Sequence, residues 1–230
     1  MKQPQLILFD LMNTLMSVHE GDVPYWYPMG KIVEANGVES ADSFNERYGN
    51  WRAERYTADI IHEVTLQDRL TSLIPQAGKV LIDELASTYM NDYVQRTSPC
   101  EGSSEMLEAW DGIVPMGVVS NFFVAVMPRF ILDRHGLSNH FSFIIDSVLI
   151  GYRKPSKEIY QHALDLSSEY IDIEDQSKVI MIGDDWEADV EGARNMGFHP
   201  IYYSQDPIPE EDVCVIRHWD EFRPLMNTTE

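Results

Sequence analysis

Cysteine is scarce in this chain, with only Cys100 and Cys214 among 230 residues. They form neither a CxxC pair nor the dense, even-numbered set of a disulfide scaffold, so both read as buried thiols. Positive charge is scarce too: 17 Lys and Arg stand against 38 Asp and Glu, a formal charge of -21. Such a field opposes approach to DNA, RNA or an anionic membrane face, and nucleic acid is excluded as an expected partner. It also repels anionic small molecules at long range, so a phosphate site here must work through local cations, which a metal ion supplies. Long apolar runs are missing as well. No stretch approaches the roughly 20 apolar residues of a membrane span, and the opening MKQPQLILFD is too short in apolar residues for a secretion signal. The expectation is a cytoplasmic protein without a membrane partner. Internal repeats and low-complexity segments are also absent.

What remains is the composition of an ordinary globular chain, 44% hydrophobic and 24% charged. Its length suits one α/β core with a smaller inserted unit. Apolar runs at Leu6 to Phe9, Val114 to Val119, Phe143 to Ile150, Val179 to Ile182, Pro200 to Tyr203 and Val213 to Ile216 read as buried strands. Helical patterns at Ser103 to Trp110, Val124 to His135, Ser156 to Ser167 and Glu187 to Met196 separate most of them. That alternation predicts a parallel sheet covered by helices on both faces. Between Ser17 and Thr97 no strand-like run occurs, while Leu81, Leu85, Thr88 and Tyr89 recur at helical spacing. The interval predicts an inserted α-helical domain over residues 17–97, with 1–16 and 98–230 forming the core. The polar, proline-containing tail after Trp219 is expected to fray.

Four segments carry candidate chemistry, each after a buried strand, at the sheet edge where ligands bind in open α/β folds. In LILFDLMNTL, Asp10 either serves the site or caps a turn. In GVVSNFF, Ser120 and Asn121 offer donors for an anionic oxygen or simply start a helix. In GYRKPSKEIY, Lys154 precedes Pro155 at an expected first helical turn, where a cation opposes the macrodipole, so Lys154 either has a function or is a solvated surface lysine. In VIMIGDDWEADVEGARNMGF, Asp184, Asp185 and Asp189 crowd a helix entry. Asp184 with Glu187 resembles a capping box, and Gly197 suits the helix end. Should Asp184 and Asp189 approach Asp10, each pair at ~4 Å costs on the order of 4 kcal/mol at an effective dielectric near 20. A divalent cation removes that penalty, and hard oxygen ligands favour magnesium.

Taken in order, these segments resemble the four motifs of the haloacid dehalogenase superfamily, in its helical-capped subfamily, over nearly the whole chain. The motif D-x-D-x-T reads DLMNT, the second is Ser120, the third Lys154, and GDxxxxD reads GDDWEAD. The resemblance implies a Rossmann-like catalytic core with a helical cap and hydrolase activity on a small, phosphorylated substrate, with Mg2+ as cofactor. It implies Asp10 as nucleophile and metal ligand, Asp184 as second carboxylate ligand and Met12 as a ligand through its backbone carbonyl. Ser120, Asn121 and Lys154 would hold phosphate oxygens, and Asp185 and Asp189 would stand just behind the ligands.

Met12 departs from the pattern. Family phosphatases carry there an Asp that protonates the leaving group and then activates water; a thioether does neither, and losing such a group removes roughly 10² to 10⁴ in rate. Three readings stay open. A weak or specialised phosphohydrolase would act on good leaving groups or borrow an acid from Glu20, Asp22 or His19. A 2-haloacid dehalogenase-like enzyme would use Arg52 and Arg55 of NWRAERY for a carboxylate, and Tyr160 fits it, but GDDWEAD keeps magnesium carboxylates. A phosphonatase lacks context for a Schiff-base lysine at Lys31 or Lys79. The third reading is an impaired binding or regulatory module. Tyr25, Trp26, Tyr27 and Trp51 form a helical core or line a pocket under it, and His62, His135, His140, His162, His199 and His218 show no paired metal spacing.

Overall fold

Four apolar residues in a row leave strand β1 (Leu6–Phe9) with no polar face, and it is buried along its whole length. The computed structural model describes residues 3–19, 21–54, 62–205 and 212–224. After β1 come β2 (Met16–Val18), helices α1 (Tyr27–Ala35), α2 (Ala41–Glu54), α3 (Leu66–Leu73) and α4 (Lys79–Gln95), and β3 (Thr97–Pro99). The chain continues through α5 (Ser103–Trp110), β4 (Met116–Ser120), α6 (Met127–Arg134), β5 (Phe143–Asp146), α7 (Ser147–Ile150) and α8 (Lys157–Ser167). It ends with β6 (Val179–Gly183), a π turn at Trp186–Glu191, α9 (Gly192–Asn195), β7 (His199–Tyr203) and β8 (Cys214–Ile216).

Six strands form one sheet in the order β5-β4-β1-β6-β7-β8, with every neighbouring pair parallel. Side chains alternate across it. Ile7, Phe9, Ile180 and Ile182 join the apolar cluster that includes Met106 and Leu107 of α5 and Ile131 of α6. Leu6, Leu8, Val179 and Met181 join the opposite one with Ile159 of α8 and Ala193 of α9. Helices therefore cover both faces, the Rossmann-like α/β architecture that strand–helix alternation predicts. All carboxyl ends of the strands lie along one edge, and β1 sits between β4 and β6, the reversal point where such sheets bind ligands.

The interval expected to be all helical is bracketed by a two-stranded antiparallel ribbon, β2 with β3, in which Ser17 pairs with Ser98. The expected boundaries at 16/17 and 97/98 fall inside or beside these strands, too short at three residues each to register as apolar runs. Tyr25, Tyr48 and Tyr89 are buried in this helical segment, Trp26 and Trp51 are partly buried against the same core, and Tyr27 is exposed.

Several local expectations are corrected. The run from Phe143 to Ile150 is strand only to Asp146; the Asp146 carboxylate accepts from Leu149 N at 3.1 Å and caps α7, which Gly151 ends at φ +83°. The helix expected over Glu187 to Met196 starts as a π turn. Its N-cap is Asp185, accepting from Ala188 N at 2.9 Å, so Asp184 does not form the capping box. Lys154 and Pro155 precede α8, whose N-cap is Ser156, so the ammonium does not oppose that helix from within its first turn. Cys100 and Cys214 are half-buried rather than enclosed. Beyond Trp219 the chain is anchored as far as Phe222: both side chains are buried, and Phe222 stacks on Trp110. Among the described residues, no helix is long and apolar enough to cross a membrane.

Candidate active site

Strand β1 delivers Asp10 to the sheet edge, where its N–H still donates to Ile182 O of β6 at 2.8 Å. The chain then turns sharply. Leu15 N and Met16 N both return to Leu11 O at 3.0 and 2.8 Å, and Asn13 adopts φ 58°, a left-handed conformation that Asn tolerates. Trp219 Nε1 donates to Thr14 O at 3.1 Å and braces this loop from the far end of the chain. Met12 is partly buried against the apolar core.

Lys154 is the electrostatic centre. Its Nζ lies 2.6 Å from Asp10 Oδ1 and 2.6 Å from Asp189 Oδ1. Carboxylate oxygens of Asp10, Asp184 and Asp189 all lie within 4.8 Å of one another. Asp184 accepts from Thr14 Oγ1 at 3.3 Å and from the Asn13 side chain. Asp185 N donates to Asp189 Oδ2 at 3.1 Å while its own exposed carboxylate stays on the π turn. Gly183, the last residue of β6, permits this crowding because a Cβ there would collide with the Asp189 carboxylate.

Crowding shifts the titration of the cluster. Burial pushes Asp10 up to about 6, against the neighbouring Lys154 and with the help of Asp184. Asp184 is raised to about 6 by burial and by Asp189, and Asp189 to about 7 by burial against Lys154. Burial alone would lower Lys154, but Asp10 and Asp189 outweigh it and hold the ammonium protonated. Three carboxylates facing one ammonium leave excess negative charge in a buried site. Hard oxygen donors at this spacing fit a divalent cation such as magnesium.

Ser120 ends β4 and is buried beside this edge. Asn121 follows it, and its amide faces the Lys154 main chain. Its Nδ2 donates to Lys154 O at 3.0 Å and its Oδ1 accepts from Lys154 N at 2.8 Å, so the side chain clamps the lysine main chain. Arg52 stacks over Trp26 at 4.9 Å and Tyr25 at 5.5 Å in the helical segment. His19 Nε2 pairs with Ser98 Oγ at 2.7 Å on the ribbon, and Asp22 is exposed. Glu20 and Arg55 lie outside the described residues. Sequence reading passed over Asn13, Trp219 and Glu63; only Asn13, inside the DLMNT segment, had a positional signal.

A family model for haloacid dehalogenase-like hydrolases matches residues 4–197. The chain is 31% identical over 114 residues to pyrimidine 5'-nucleotidase YjjG of Escherichia coli, covering 50% of this chain and 48% of that protein, about half its length. It is 28% identical over 225 residues to ribulose-1,5-bisphosphate 5-phosphatase of Halopiger xanaduensis, covering 90% and 86%. Among solved structures, 2-haloacid dehalogenase from Pseudomonas syringae shares the fold at TM-score 0.70 and 19% identity, over 95% of this chain and 96% of that one. A HAD phosphatase from Thermococcus onnurineus does so at TM-score 0.66 and 19% identity, over 94% and 95%. With the family model spanning most of the sequence and these segments meeting at one sheet edge, the chain belongs to the haloacid dehalogenase-like hydrolases.

Proposed function

We propose that this hydrolase is a magnesium-dependent phosphohydrolase that acts on a small phosphorylated metabolite through an aspartyl-phosphate at Asp10. The observation that carries the reading is the buried contact of Lys154 with Asp10 at 2.6 Å, beside Asp184 and Asp189. Asp10, Asp184 and the Met12 backbone carbonyl would hold the ion, with Asp189 tied to Lys154 beside them. When bound, magnesium supplies the positive charge that lets an anionic phosphoryl group approach a carboxylate. The Lys154 ammonium offsets Asp10 for the same purpose, and the Ser120 hydroxyl and Asn121 backbone N–H hold phosphoryl oxygens.

An Asp10 oxygen attacks phosphorus, and the bond from phosphorus to the leaving-group oxygen breaks. Water then attacks the phosphorus of the acyl phosphate; the bond to Asp10 breaks, inorganic phosphate and a proton leave, and the carboxylate is restored. Met12 donates no proton in the first step and activates no water in the second. Good leaving groups, acyl phosphates among them, are therefore the favoured substrates, with His19, Glu20 and Asp22 the candidate acids that follow the motif in sequence. Helices α1 to α4, between β2 and β3, serve as a cap that excludes water and reads the substrate.

Relatives named as a pyrimidine 5'-nucleotidase and a ribulose-1,5-bisphosphate 5-phosphatase support this reading. The retained carboxylates weigh against the dehalogenase alternative, which needs no metal charge. The test is a magnesium-dependent hydrolysis screen over phosphate esters, acyl phosphates, phosphonates and 2-haloacids with Asp10→Asn as control. Phosphate release that needs both magnesium and Asp10 supports the reading; halide release alone overturns it.

A further inference from the structure

Glu63 lies in the short segment that leads into α3, and its side chain is 0% exposed. A fully buried carboxylate is costly unless several donors meet it. Its Oε1 is 2.8 Å from Arg69 Nη2 of α3, whose guanidinium lies over the rings of Trp51 at 4.6 Å and Phe123 at 4.4 Å. Its Oε2 accepts from Ser147 Oγ at 2.7 Å and lies 3.6 Å from Arg153 Nε. Ser147 Oγ in turn accepts from Phe122 N at 3.0 Å.

These links converge on the proposed phosphate-binding elements. Phe122 follows Asn121, Arg153 precedes Lys154, and Asn121 clamps Lys154 through two hydrogen bonds. Glu63 thus grips both sides of the clamp that aims the Lys154 ammonium at Asp10. The backbone reinforces the grip: Glu63 N donates to Gly151 O at 3.1 Å and Leu66 N to Phe123 O at 3.0 Å. Among the described residues, Arg69 and Arg153 each keep buried Nε and Nη1 groups without a hydrogen-bond partner, so Glu63 is not readily replaced by a neutral residue.

We infer that Glu63 is a positioning residue of this site: it locks the Asn121–Lys154 clamp in place only while the segment entering α3 is docked, and so couples the helical insertion to phosphate binding. This inference rests on the phosphohydrolase reading. Its experiment measures kcat and KM, magnesium affinity, and affinity for orthophosphate in the presence of magnesium, in wild type, Glu63→Gln, Glu63→Asp, Ser147→Ala and the Glu63→Gln/Ser147→Ala pair.

The expected result is a loss of about 10- to 100-fold in kcat and in orthophosphate affinity for Glu63→Gln, the scale of a small misplacement of reacting groups. Magnesium affinity stays at the wild-type value, because Glu63 touches none of the three aspartates. Glu63→Asp recovers part of the loss, and the pair is no worse than Glu63→Gln alone, since Ser147 acts through Glu63. Should Glu63→Gln fail to fold, Ser147→Ala carries the test with a smaller loss of the same kind. Variants equal to wild type, additive losses, or losses in magnesium affinity of the same size overturn the inference alone. A wild type that neither turns over nor binds orthophosphate overturns the phosphohydrolase reading and this inference with it.

Discussion

Lys154 and Asp189 form an ion pair at 2.6 Å in which both side chains are 1% exposed. The same ammonium reaches Asp10, so removing it strands two carboxylates against each other in a largely buried site. Breaking a buried pair in this way costs about 3–5 kcal/mol, less whatever the acids recover by taking up protons. Lys154→Met is expected to lower Tm, and to lower it more at about pH 8 than at about pH 5.5, where protonation relieves the repulsion. Thermal melts check this; an equal loss at both pH values contradicts it.

Under the proposed function, magnesium would compete with protons for the same oxygens. Asp10, Asp184 and Asp189 keep their protons up to about 6, 6 and 7 rather than 3.8. The folded chain therefore binds more protons than the unfolded one between about pH 4 and pH 7. The stabilisation those protons bring is complete below that window and is lost as pH rises through 6 to 7. Metal ligands must be deprotonated, so the Tm rise on adding magnesium should be small near pH 5 and grow to a plateau near pH 8. A rise as large at pH 5 as at pH 8 speaks against this coupling.

Restoring the missing carboxylate tests the diagnosis at residue 12. Met12→Asp should raise turnover of an unactivated phosphate ester by about 10² to 10⁴, with a much smaller gain on an acyl phosphate. Steady-state kinetics on the two substrates measure it, and an unchanged ester rate contradicts the account.

Gly183 has no room for a side chain, because Asp189 fills the space its Cβ would take. Gly183→Ala should fold at a cost of about 1–3 kcal/mol and lose roughly 10²-fold in turnover as Asp189 is pushed off Lys154. Wild-type turnover in this variant would mean that the Asp189–Lys154 contact is dispensable.

The sheet was legible in the sequence because buried parallel strands are continuous apolar runs, as LILF and VIMIG are. Asp10 and Asp184 stood out as candidates because each follows such a run, whereas Lys154 comes after β5 and α7. Where local chemistry competed with hydrophobicity, the pattern misled: VLI after Asp146 is apolar enough for a strand, but a cap at Asp146 and a left-handed Gly151 close it into a helical turn. The π turn, which carries Asp189, has no periodic signature of its own. Glu63 left no trace, since a lone glutamate between helices looks like any solvated acid until tertiary contacts bury it. The contact of the Asn121 amide with a main chain 33 residues away left no trace either, because only the fold brings the two together.

The most direct measurement is rapid acid quench during turnover of an acyl phosphate, followed by mass spectrometry of peptides spanning Asp10. Slow hydrolysis without an acid or base at residue 12 should let a phosphorylated peptide containing Asp10 accumulate, absent from Asp10→Asn. Magnesium-dependent turnover with no phosphoryl group on that peptide, or with one on a different residue, would contradict Asp10 as the nucleophile.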